Sequence, residues 1–148
     1  MNRIKIISYL GLFLLLLQGC SKDTPPFQEH AEPDWVLQSP ELLPNSFTAI
    51  VALPEDINVY AGAGDQMAAF IGGECRGTGT LVKSGDSEKS IYYITIRASD
   101  TENGEITFRY YNSRLSYLYQ AKQKVPFEID GNYGTYDAPV ILDLAYVE

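Results

Sequence analysis

Asp65-Gln66-Met67-Ala68-Ala69-Phe70-Ile71-Gly72-Gly73-Glu74-Cys75-Arg76-Gly77-Thr78-Gly79 reads as a short apolar strand, a two-glycine turn and a returning strand that carries a Glu, a Cys and an Arg. Two adjacent glycines accept positive φ at both central positions of a tight hairpin turn, the geometry that matches the twist of the flanking strands. Ala68, Ala69, Gly77 and Gly79 are small, so neighbouring backbones are expected to approach closely here. By alternation Glu74 and Arg76 share a face and are placed to pair with each other or with a neighbouring loop, while Cys75 points the other way. The pattern predicts a hairpin that organises the fold, with Cys75 in the core, and is weak grounds for a ligand site.

The same two-residue period recurs on both sides of this hairpin. Phe47, Ala49, Val51 and Leu53 share one face of Ser46–Leu53, and Ile50 on the other face predicts a strand covered on both sides. Ile57-Asn58-Val59-Tyr60 reads as a short strand or edge segment. Ile91-Tyr92-Tyr93-Ile94-Thr95-Ile96-Arg97 is the strongest strand by composition, rich in β-branched and aromatic residues. After a turn at Asn103-Gly104, Ile106–Tyr111 alternates again, which requires one of Tyr110 and Tyr111 to face outward. Leu115–Gln120, Val125–Ile129 and Pro139–Tyr146 complete the set. No segment keeps a helical period without a Gly, Pro or turn cluster breaking it. Seven to nine short strands with turn signals between them predict an all-β domain, an antiparallel immunoglobulin-like β-sandwich, with a closed barrel as the alternative.

The N-terminus reads as an address. Asn2, Arg3 and Lys5 precede an apolar run from Ile6 to Leu17, too short for the roughly 20 residues that span a bilayer and suited to a signal peptide. Leu17-Gln18-Gly19-Cys20 resembles the bacterial lipobox, which implies cleavage before Cys20 and diacylation of that cysteine. Residues 1–19 are then a lipoprotein signal peptide, residues 20–34 an acylated and flexible tether, and residues 35–148 the β-sandwich domain. Ser21-Lys22-Asp23-Thr24 partly resembles the signal that sends lipoproteins to the outer face of the outer membrane, so the expected location is the outer membrane, lipid-anchored and facing the exterior, against a periplasm-facing alternative. Between Thr24 and Asp34, three prolines and three acids leave little to pack. His30, the single histidine of the chain, falls inside this tether and is read as solvated, without partners.

Removing residues 1–19 takes away Arg3 and Lys5 and leaves nine basic residues against 19 acidic ones, a formal charge of −10. Such a chain repels phosphate backbones and has no basic stripe, so nucleic acid is not an expected partner. With Cys20 lipidated, Cys75 stands alone; no disulfide is available, and the core must hold the fold.

The order Asp34-Trp35, Ser46–Ile50, Ala68-Ala69-Phe70-Ile71-Gly72-Gly73-Glu74-Cys75-Arg76-Gly77, Ile94–Ile96 and Ile106-Thr107-Phe108-Arg109-Tyr110-Tyr111 is similar to a β-sandwich module of Bacteroidetes secreted and surface proteins, sometimes found in tandem in adhesin-like chains. The resemblance covers nearly all of the chain after the tether. It implies a fold and an address but no catalytic residues, and a single lipid-anchored module differs from one bead of a long adhesin.

Motifs that carry chemistry are scarce. One tether histidine leaves no Ser-His or Cys-His nucleophile pair, Gly62-Ala63-Gly64 and Gly77-Thr78-Gly79 lack the third glycine of a phosphate loop, and no Cys/His cluster offers zinc ligands. No catalytic residue, metal or cofactor is expected. Asp130–Asp137 holds oxygen ligands but lacks the spacing of a helix-loop-helix calcium loop, and its Asp, Gly and Asn are what turns demand. Among eleven tyrosines, Tyr133 and Tyr136 lie in that loop and are the candidate ligand-binding residues, since a flat ring with a polar tip suits a sugar or a protein surface. The expected function is a non-catalytic cell-surface lipoprotein, bound to the membrane through the lipid on Cys20, that acts as a binding or adhesion module for a glycan or surface protein. A structural subunit of a cell-surface assembly and a carboxylate-dependent glycan-active enzyme are the alternatives.

Overall fold

The structure, a computed structural model, describes residues 27–83 and 89–148. Cys20 and the signal segment lie outside the described residues, as does the middle of the polar loop after Val82.

The chain is all-β, one curled, mixed sheet. Its strands are β1 (Asn45–Ala52), β2 (Gln66–Ile71), β3 (Glu74–Lys83), β4 (Ser90–Ala98), β5 (Glu105–Asn112), β6 (Tyr117–Ala121), β7 (Val125–Pro126), β8 (Asn132–Tyr133), β9 (Val140–Ile141) and β10 (Leu144–Tyr146). The hydrogen-bonded order is β10-β6-β5-β2-β3-β4-β1-β8, with β7 beside β5 and β9 beside β1.

Strand β3 makes the curl. Its first half, through Thr78, pairs with β2, and its second half, from Gly79, pairs with β4. At the changeover the two glycines admit what a side chain would block. A Cβ on Gly77 would sit 2.3 Å from the Thr95 carbonyl oxygen, and one on Gly79 would sit 3.0 Å from Met67 Cβ. The two halves therefore fold over onto one core. Phe47, Val51, Tyr92, Ile94 and Ile96 come from β1 and β4, and Met67, Ile71, Ile106, Phe108 and Tyr110 from β2 and β5.

The hairpin turn is as expected, with Gly72 at φ 58° and Gly73 at φ 83°. Ile50 and Ala52 are buried on the face of β1 away from the core, where they pack with Ile91. Near-continuous burial of β2 fits its unbroken apolar run.

Several expectations are corrected. The sheet is not purely antiparallel, because β8 and β9 run parallel to β1. Each is only two residues long, too short to leave an alternating pattern. Gly134, at φ 84°, allows this segment to reach the β1 edge, since a Cβ there would sit 2.2 Å from the Ile50 carbonyl oxygen. Ile57–Tyr60 is not a strand: Glu55–Asn58 form a one-turn helix, α1, that follows Pro54, and its first-turn acids Glu55 and Asp56 suit the positive end of a helix. Tyr110 and Tyr111 are both buried, at 0% and 4% exposure, because residues 27–35 cover the outer face of β5 and β2.

That covering segment also corrects the reading of His30. The His30 amide donates to the Ser116 carbonyl at 2.7 Å, its Nε2 bonds the Val147 carbonyl at 2.9 Å, and its own carbonyl accepts from the Tyr111 hydroxyl at 3.3 Å. Phe27 lies edge-on to Tyr117 and tilted against Tyr146, and Trp35 meets Phe70 edge-on at 5.6 Å. Prolines and acids disfavour a self-sufficient core in this stretch; they do not prevent docking on aromatics supplied by the sheet.

Candidate functional site

The register of the central hairpin contains one irregularity. Phe70 pairs with Cys75 and Ala69 pairs with Gly77, which leaves Arg76 as an extra residue, a β-bulge. Bulges bend a strand and re-aim a side chain. Here the bulge turns Arg76 toward the β4–β5 turn, where its Nη2 lies 3.0 Å from Glu74 Oε2 and 3.5 Å from Glu102 Oε2. Glu102 is itself fixed, because its Oε1 accepts from the Asn103 and Gly104 amides at 3.1 and 2.9 Å. The Arg76 Nε is buried and has no hydrogen-bond partner among the described residues. A buried donor left unbonded costs about 1–3 kcal/mol, so this position favours an oxygen acceptor.

A groove of about 450 Å³ opens beside the bulge. Glu74, Cys75 and Arg76 form one wall; Gln38, Ser39, Leu42 and Leu43 form the other. The second wall is built by a 3₁₀ turn at Pro40–Leu42, entered through Ser39 in the left-handed region at φ 48°. Leu43 anchors this turn in the protein at 7% exposure, whereas Leu42 is 68% exposed. Cys75 was expected in the core and instead is only partly buried, on the face that carries Phe70 rather than the core-facing Ala69 and Ile71. Burial pushes its thiol above the ordinary value, and a weak bond to the Gly77 carbonyl opposes that in part. A raised thiol pKa means little thiolate at neutral pH and a poor nucleophile.

Asp65, at the head of the same stretch, is a structural hub. Its carboxylate accepts from the Gly62 amide at 2.7 Å, the Tyr110 hydroxyl at 2.5 Å, and the Ser113 amide and hydroxyl at 2.8 and 2.9 Å. Tyr110 and Asn112 are fully buried there. Burial, and then the bond to Asp65, hold the Tyr110 hydroxyl well above the usual tyrosine range.

The two candidate tyrosines are not brought together. Tyr133 is half-buried, pairs with Ala49 on β1, and stacks on the core ring of Phe108 at 6.0 Å and 12°. Tyr136 is 50% exposed and stacks on Tyr93 at 6.2 Å and 5°, over the small cluster on the opposite face. Among the described residues, no three His, Cys, Asp or Glu side chains gather into a metal site.

Sequence reasoning missed the groove. The Gly72-Gly73 turn sets the pairing of Ile71 with Glu74 and Phe70 with Cys75, but the slip after Cys75 depends on tertiary contacts at Gly77. Nothing in Gln38–Leu43 signals that it faces β3. No family model, curated protein or solved structure matches this chain.

Proposed function

We propose that this chain is a non-catalytic, lipid-anchored binding module of the bacterial cell surface, held to the outer membrane through Cys20 and taking a glycan or protein partner. The observation that carries the binding role is the groove beside Arg76. It joins an exposed leucine, a buried guanidinium nitrogen without a partner, and an exposed carboxylate on Glu74. Aromatic or aliphatic contact beside a few fixed polar groups is the usual make-up of a recognition site. The anchor rests on the lipobox-like Leu17-Gln18-Gly19-Cys20, and the Bacteroidetes surface module that the Ala68–Gly77 stretch resembles agrees with it. The immunoglobulin-like form of the fold belongs to the same proposal. It is supported by two facing half-sheets around one core, although here a single strand, β3, joins them.

Two measurements test the reading. Cells expressing the full chain should incorporate labelled palmitate into it and lose it to added protease, and Cys20→Ala should abolish the label. An acylated Cys20→Ala product would overturn the anchor. For the groove, Leu42→Asp should remove binding of any partner found by screening oligosaccharides and peptides, while thermal stability changes little.

A further inference from the structure

We propose that the groove receives an extended, uncharged or basic peptide segment of a partner protein, laid along the open edge of β3. This rests on the binding-module reading above and names its ligand class. Among the described residues, β3 up to Arg76 has only β2 as a strand neighbour; the Thr95 carbonyl of β4 lies against Gly77, and β4 pairs with β3 from Gly79 onward. The free edge at Glu74, Cys75 and Arg76 is also the groove wall. A strand edge offers a row of main-chain donors and acceptors, which is the template for adding a strand from another chain.

The side chains narrow the choice. Arg76 lines this wall and its buried Nε–H has no partner among the described residues. Its charge is already opposed by Glu74 and Glu102, with Glu41 exposed beside Leu42 in the 3₁₀ turn of the other wall. A carboxylate or phosphate would meet this acidic surround on a chain of formal charge −8 and be repelled. A neutral peptide carbonyl would not. The Glu74 side chain is 74% exposed and suits a Lys or Arg on the incoming strand. Leu42 presents an apolar contact at 68% exposure. Successive residues of a strand point to opposite faces, so an apolar residue against Leu42 and a basic one toward Glu74 belong at alternate positions. The described groove lining contains no aromatic ring, so a sugar lacks the stacking platform that flat rings supply.

The test uses the full acylated chain in detergent micelles, challenged with a phage-displayed random nine-residue peptide library and a panel of neutral and acidic oligosaccharides. Enriched peptides should carry an apolar residue two positions from a Lys or Arg, and synthetic copies should slow alkylation of Cys75. Leu42→Asp should weaken them at least tenfold, and Glu74→Lys should shift selection toward acidic peptides. Both positions are exposed, so neither substitution endangers folding. No enrichment, or binders indifferent to both substitutions, overturns the peptide assignment. Oligosaccharides that bind and are lost in Leu42→Asp also overturn it, while the groove keeps its binding role. If neither class binds in a Leu42-dependent way, the binding-module reading falls as well.

Discussion

At the residue scale, Asp65 is the polar group on which most depends. Its carboxylate takes the hydroxyl of Tyr110 and both donors of Ser113, and the Asn112 amide lies between it and the Tyr60 carbonyl. Asp65→Ala leaves the fully buried Tyr110 and Asn112 facing an apolar void; since a buried donor without a partner costs about 1–3 kcal/mol, the loss in a urea titration should reach roughly 3 kcal/mol. The same cluster makes stability pH-dependent. Tyr92 and Tyr110 are held above the ordinary tyrosine value, chiefly by burial. Their folded forms keep protons that the unfolded chain releases near pH 10, so this contribution is complete below about pH 10 and lost as pH rises further. Unfolding free energy measured from pH 8 to 12 should fall above 10, and Tyr110→Phe should flatten that fall. Cys75 gives a third expectation: its alkylation rate should have a midpoint above that of free cysteine, and a midpoint at or below that value would contradict the burial of the thiol.

At the element scale, the two glycine pairs of the β2–β3 hairpin do different work. Gly72 and Gly73 have open space around them but positive φ, so alanine at either position is strained by the backbone alone, at about 1–2 kcal/mol. Gly77 has no such φ, yet its Cβ would strike the Thr95 carbonyl, and relief requires β3 and β4 to part at the curl. Gly77→Ala should therefore cost more than Gly72→Ala, and thermal melts of the two variants measure the order. The turn role was fully legible in the sequence; for the second role the small residues signalled close packing but not its partner, because turn chemistry is local whereas close approach depends on which strand lies opposite. The same distinction explains the other outcomes. Ile91–Arg97 and Ile106–Tyr111 carry enough alternation to declare themselves as strands. Asn132–Tyr133 and Val140–Ile141 do not, and their parallel pairing with β1 follows from where Gly134 lets the chain go. The Arg76 bulge, and with it the groove, was hidden for the same reason.

At the scale of the whole molecule, the segment that precedes β1 behaves as part of the domain. Phe27, Tyr146, Tyr119, Tyr110 and Tyr92 form a continuous file of ring contacts from the surface to the centre of the core. Four of the eleven tyrosines are thus used in packing, and the file begins on a residue that the composition assigns to a tether. His30 fastens the segment to the β5–β6 turn and to the chain end after β10 through Ser116 and Val147, and the Tyr146 hydroxyl donates to the Gln28 carbonyl. If this clasp contributes as its contacts indicate, replacing Phe27 and His30 together by alanine removes three ring contacts and one side-chain hydrogen bond. At about 0.5–1.5 kcal/mol for each such contact, the double variant should lose roughly 2–6 kcal/mol and expose Tyr111 and Tyr117. The increase in tyrosine accessibility to solvent quenchers should appear before global unfolding. A free tether predicts the opposite: unchanged stability and unchanged quenching. Because the segment lies on the outer face of β5 and β2, whereas the groove lies between β3 and Gln38–Leu43, this variant should leave peptide binding at Leu42 intact. Loss of both together would mean that the strap also positions the 3₁₀ turn of the groove wall.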